Sequence, residues 1–127
     1  MSIGINSQQA PELRVPYWID GDGHERAPLT LAELGDGYKV IYCFQHWCPG
    51  CHSRGFPTLK KLVKELSDKG FDFAVVQTVF EGAEHNTVEK LRQTQFEYDL
   101  DLPFGHDLPP EGSQYPSIME DYRTGWT

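Results

Sequence analysis

Cys48-Pro49-Gly50-Cys51 is the stretch of this sequence best equipped for chemistry. The run ahead of it, Tyr38 to Phe44, is β-branched and aromatic enough to be a buried strand, and the pattern behind it is helical. A cysteine at such a junction has its sulfur over unpaired backbone N–H groups and at the positive end of the helix dipole, which favour thiolate over thiol. The thiolate is the attacking species in disulfide exchange, so Cys48 is placed as the nucleophile. Cys51, one helical turn later, is placed to attack the mixed disulfide that results, and the same geometry makes Cys48 the more exposed thiol and Cys51 the more buried. Pro49 fixes φ without needing a donor, and Gly50 permits a close approach at the helix start. His46 and His52 either tune the thiolate when protonated or stand exposed and idle, and Trp47 is either a platform facing a partner or a lid on the core. Cys43, mid-strand, reads as a small apolar core residue.

Metal binding is the competing chemistry. His46, Cys48, Cys51 and His52 offer mixed nitrogen and sulfur donors, but a structural zinc site normally closes with a second pair far along the chain. No second cysteine pair exists, and His24, His85 and His106 stand apart, so neither a metal nor a cofactor is expected. The acidic stretch Asp20-Gly21-Asp22-Gly23 lacks the spacing of a calcium loop and reads as a turn.

The elements that must position the cysteines follow from periodicity. Residues 1–12 carry none and read as a loose arm, leaving one domain over 13–127. Leu13, Val15, Tyr17 and Ile19 alternate into the acidic turn and predict a strand entering a hairpin. Thr30, with Glu33 three residues on, predicts a capped helical turn that ends at Gly35. Tyr38 to Phe44, apolar on both faces, predicts a strand in the middle of a sheet. Phe56, Leu59, Leu62, Val63 and Leu66 predict an amphipathic helix closed by Gly70. Phe71 to Phe80 reads as a second buried strand, Thr87 to Tyr98 as a helix capped from Asn86, Leu102 to Gly105 as an extended piece, and Pro116 to Arg123 as a short helix that stops at Thr124-Gly125. Strand, helix, strand, helix in that order means an α/β sheet with parallel neighbours.

Length and charge agree with a single domain and narrow its partners. The chain has 127 residues and a formal net charge of −8, with no basic cluster longer than Lys60-Lys61, which argues against nucleic acid or an anionic membrane as partner. No apolar run approaches the ~18 residues of a spanning helix, and Met1 to Leu13 lacks the basic start and apolar middle of a signal peptide. A cytoplasmic location is the default expectation, and a periplasmic one holds if a signal has been removed.

The stretch Tyr42-Cys43-Phe44-Gln45-His46-Trp47-Cys48-Pro49-Gly50-Cys51 resembles the strand, Trp and Cys-x-x-Cys of the thioredoxin superfamily. The hairpin before it and the extra segment after the second strand are similar to the TlpA/ResA-like and AhpC/TSA-like branch. The resemblance implies a thioredoxin-like sheet with flanking helices, and a thiol-disulfide oxidoreductase exchanging with a disulfide-bearing protein or a small thiol. A non-catalytic binding module on the same fold is the rival reading. Several departures from the family stand out. Tyr42 occupies the place of a buried acid and Arg54 the place of a Glu, which leaves Glu81 as the candidate proton acceptor for Cys51, against its plain reading as a solvated loop acid. Pro57 lies one position later than the family's helix-kinking Pro. Ile41 and Gln45 replace the Pro and hydroxyl residue that precede a peroxidatic cysteine, which argues against a peroxidase. The resemblance also implies a cis-Pro strand after the short last helix. Pro116 is one candidate, and the match of Tyr122 to Thr127 with the residues preceding that Pro is the other, which leaves the closing hairpin and helix missing and a sheet edge open to self-association.

Overall fold

Val40, Tyr42 and Phe44 alternate with Ile41 and Cys43, so the strand they form needs an apolar layer on each side. The computed structural model describes residues 4–124 and supplies both layers. Its regular elements are β1 (Tyr17–Ile19), β2 (Glu25–Arg26), β3 (Tyr38–Phe44), α1 (Phe56–Leu66), β4 (Phe71–Thr78), α2 (Val88–Glu97), β5 (Phe104–Asp107) and α3 (Ser117–Tyr122). The strands form one sheet in the order β2-β1-β5-β4-β3. β3, β4 and β5 run parallel, and β1 runs antiparallel to both β5 and β2. Phe44 aligns with Gln77 and Thr78 with Asp107, so the carboxyl ends of β3, β4 and β5 come together at one end of the sheet. The cysteine motif leaves β3 at that end.

One face of the sheet carries Phe44, Val75 and Phe104, covered by Phe56 and Leu59 of α1 and Leu91 of α2. The other carries Trp18, Ala74 and Val76, covered by Leu13 and Val15 of the incoming chain, Leu34 of the turn after Thr30, and Ile118 of α3. Gly105 lets the Trp18 ring lie against β5, since a Cβ there would stand 3.0 Å from three ring atoms. Residues 4–12 have no helix or strand, although the Glu12 carboxylate accepts from Leu31 N at 2.8 Å and Pro11 O accepts from the Tyr122 hydroxyl.

Several expectations need correction. β3 is an edge strand of this sheet, because apolar faces call for cover above and below, not for a second neighbour beside it; among the described residues only β4 pairs with it. β1 begins at Tyr17, since Leu13 and Val15 are buried without entering a ladder. The cap of α2 is Thr87, whose side chain accepts from Lys90 N, and Asn86 is used elsewhere. β5 runs Phe104–Asp107, two residues beyond the extended piece read from sequence. Pro116 precedes α3, so no strand opens there, and no peptide bond among the described residues is cis. α3 ends on Arg123 in the left-handed region, before Thr124. Residues 125–127, part of the alternative match, lie outside the described ones. No helix is long and apolar enough to cross a membrane among the described residues.

Candidate active site

Gln45 follows β3, and its carbonyl accepts from Cys48 N at 3.0 Å, turning the chain through His46 and Trp47. Residues 49–50 are helical, and the coil then widens into a π-turn over Cys51–Gly55 before α1, closed by Phe56 N donating to Cys51 O. Pro57 has no N–H for the helix ladder, and its ring crowds the carbonyl of the preceding turn. A π-turn absorbs one extra residue, which accounts for Pro57 standing one position late.

Cys48 is half-buried, and its sulfur accepts from Cys51 N at 3.3 Å. Cys51 is buried, and burial pushes its thiol pKa up, with Cys48 adding to the rise. Both are free thiols in this structure. The pair is thus unequal: one sulfur faces outward with a backbone donor on it, and the other is held as a thiol beneath. Cys43 sits on the opposite face of β3, where burial pushes its pKa up to about 12.

The turn ahead of Cys48 is tied down by residues distant in sequence. Asn86 is buried; its Oδ1 accepts from His46 N at 2.7 Å, and its Nδ2 donates to Gly82 O at 2.9 Å and Glu81 O at 3.2 Å. His52 Nε2 donates to His46 O at 2.5 Å, and its Nδ1 lies 2.7 Å from the Tyr98 hydroxyl. His46 Nδ1 lies 3.1 Å from Thr94 Oγ1, which itself donates to Lys90 O, and burial, Lys90 and His52 all lower the His46 pKa. Asn86, Thr94 and Tyr98 are not among the site residues expected from the sequence, where Asn86 and Tyr98 enter only as the cap and end of a helix; the polar run before α2 gives a cap signal that Thr87 and Asn86 share.

Trp47 is 45% exposed and lies along the loop at Gly82. Pro49 and Gly50 are exposed at the helix start. Glu81 is exposed and brings its carbonyl to the site, through Asn86; the polar side chain that reaches Cys51 is Tyr42, whose hydroxyl donates to Cys51 O at 3.0 Å. Among the described residues no three of the donor atoms of His46, Cys48, Cys51 and His52 gather within 4.8 Å of one another; both nitrogens of His52 have hydrogen-bond partners, and His46 Nδ1 faces Thr94. Among the described residues the ligand atoms that gather within 4.8 Å of one another belong to Asp20, Asp22 and His24, in a turn whose carboxylates already accept from Asp22 N, His24 N and His24 Nδ1.

No protein-family model matches the chain, and no curated protein sequence does. Solved structures do. A crystal structure of a thioredoxin-like superfamily protein is 32% identical with a TM-score of 0.75, over 90% of this chain and 71% of that one. A crystal structure of a thiol-disulfide isomerase from Corynebacterium glutamicum is 28% identical, also with a TM-score of 0.75, over 93% of this chain and 75% of the other.

Proposed function

This chain belongs to the thioredoxin-like superfamily, and on that footing we propose that it is a thiol-disulfide oxidoreductase exchanging a Cys48–Cys51 dithiol and disulfide with a protein or small-thiol partner. The fold and a thiol-disulfide isomerase among its structural neighbours support a redox function in general. The observation that carries the specific reading is the Cys51 N–H on the Cys48 sulfur at 3.3 Å. That contact sets the two sulfur-bearing residues one helical turn apart, with Cys48 half-buried and Cys51 buried behind it, the arrangement that attack by one sulfur and resolution by the other require.

Cys48 thiolate attacks a partner disulfide, forming a Cys48–partner bond and releasing the partner's other sulfur as a thiolate. Cys51 then attacks Cys48, forming the Cys48–Cys51 disulfide and releasing the second partner sulfur. The partner is reduced by two electrons and the protein oxidised by two; in the opposite direction each step reverses. Trp47, exposed beside Cys48, offers an apolar surface to the partner's chain.

Insulin reduction by dithiothreitol tests this. The wild type is expected to accelerate precipitation of the insulin chains, and Cys48→Ser to return the rate to the dithiothreitol background. A wild type no faster than that background overturns the reading and leaves a non-catalytic binding module.

A further inference from the structure

We propose that the Tyr42 phenol is the hydrogen-bond donor serving the Cys51 sulfur in the second half of the exchange, an inference that rests on the oxidoreductase reading above. Cys51 is buried under Cys48, so the charge it must carry when it attacks needs a polar group brought to it. Tyr42 is one strand position from Cys43 but on the opposite face of β3, and this alternation turns its ring toward the π-turn. There its hydroxyl donates to Cys51 O at 3.0 Å, and its nearness works against the burial that raises the Cys51 pKa.

The backbone has been shaped around that hydroxyl. A Cβ on Gly55 would stand 1.9 Å from Tyr42 Oη and 2.7 Å from Cζ, so the fifth residue of the π-turn has no side chain where the phenol sits. The ring is held by an edge contact with Phe56, centroids 5.0 Å apart, and by a stacked one with Phe44 at 6.3 Å. A groove of about 300 Å³, lined by Tyr42, Arg54, Gly55 and Thr58 together with apolar side chains of β3 and α1, opens beside it. The titratable groups facing the phenol are Cys51 and Cys48 from the motif and Tyr98 from the C-cap of α2. Burial and these neighbours push the Tyr42 pKa well above its ordinary value, so the phenol keeps its proton and acts as a donor, not a base.

In the step itself Cys48 is joined to a partner sulfur. The Cys51 thiol gives its proton to solvent, and the thiolate that forms takes over the Tyr42 O–H from Cys51 O, to which it returns after the step. The thiolate attacks Cys48 Sγ; the Cys51–Cys48 bond forms with the Cys51 electron pair. The Cys48–partner bond breaks, and its pair leaves on the partner sulfur, which takes a proton from solvent. Tyr42 ends as it began.

The disulfide of Ellman's reagent separates the two halves, because the reduced protein releases one thionitrobenzoate when Cys48 attacks and a second when Cys51 resolves. In Tyr42→Phe the first release is expected to keep its rate, while the second slows roughly tenfold, the loss of one hydrogen bond to a charged sulfur. Its pH midpoint is expected to rise by about one unit. Gly55→Ala, which keeps the phenol but fills its seat, is expected to slow the same phase. An unchanged second phase in both variants overturns the proposal, and so does an equal slowing of both phases, which marks a structural role. A wild type whose second release survives Cys51→Ser instead overturns the oxidoreductase reading itself.

Discussion

The Cys48 sulfur has a hydrogen-bond donor before any partner arrives, and Cys51 has a raised pKa and little access to solvent. Alkylation reads both properties, because iodoacetamide reacts with the thiolate and only where it can reach it. Brief treatment near neutral pH, followed by peptide mass spectrometry, is expected to label Cys48 at least roughly tenfold faster than Cys51, with Cys43 slower than Cys48 as well. Labelling that favours Cys51 would sink the assignment of nucleophile and resolving thiol. The types and spacing of these residues are legible in the sequence because a Cys-x-x-Cys between an apolar strand and an amphipathic helix has few other arrangements. The contact beside Cys51 is less so: the resemblance puts Tyr42 in the place of a buried acid, but only the strand's alternation and the gap at Gly55 aim its hydroxyl at the backbone of Cys51.

Elements read well from sequence where their signals are local. The Thr30 and Glu33 capping box forms as read, with Glu33 N donating to the Thr30 side chain and Glu33 accepting from Thr30 N, because both partners lie within one turn. The edge position of β3 and the π-turn are harder, since the first depends on which strands pair and the second on how one extra residue is absorbed. The loop over residues 81–86 belongs with these. It is fastened to the turn ahead of Cys48 by Asn86, so this side chain couples the end of β3 to the segment before α2. Asn86→Ala leaves His46 N and the Gly82 carbonyl without their partner, and the expected cost is about 2 kcal/mol, or roughly 8 °C in thermal midpoint. Cys48 is expected to react more slowly with Ellman's reagent in the same variant, because the turn that aims it is no longer held. A melt and a rate identical to the wild type would show that the loop is positioned without Asn86.

At the scale of the whole molecule, acid stability turns on two histidines whose pKa the fold lowers, His106 buried and His46 half-buried. His106 on β5 is 6% exposed, and its Nδ1 faces Gln77 Nε2 at 3.0 Å. The amide orientation is set from its other side, where the same Nε2 donates to Thr87 O at 3.0 Å, so His106 Nδ1 must be an unprotonated acceptor. Protonation there sets two N–H groups against each other, and rotating the amide would set two oxygens together at Thr87. Burial lowers the His106 pKa, and burial with Lys90 and His52 lowers that of His46. Both groups therefore take up protons more readily in the unfolded chain than in the fold. Their contribution is complete above the ordinary histidine value of 6.5 and is lost as pH falls through it toward the depressed folded values. For His106 the slope is at most about 1.4 kcal/mol per pH unit. Asp107, buried with its pKa raised by desolvation, opposes this, since its contribution is present at acid pH and lost as pH rises above 3.8. Urea denaturation across the acid range is expected to show stability falling below pH 6.5, with a shallower fall in His106→Gln, whose amide oxygen can accept from Gln77 without titrating. A wild-type curve that is flat from pH 7 to 5, or a variant that follows the wild type in slope, would show that these rings are not held neutral by the fold.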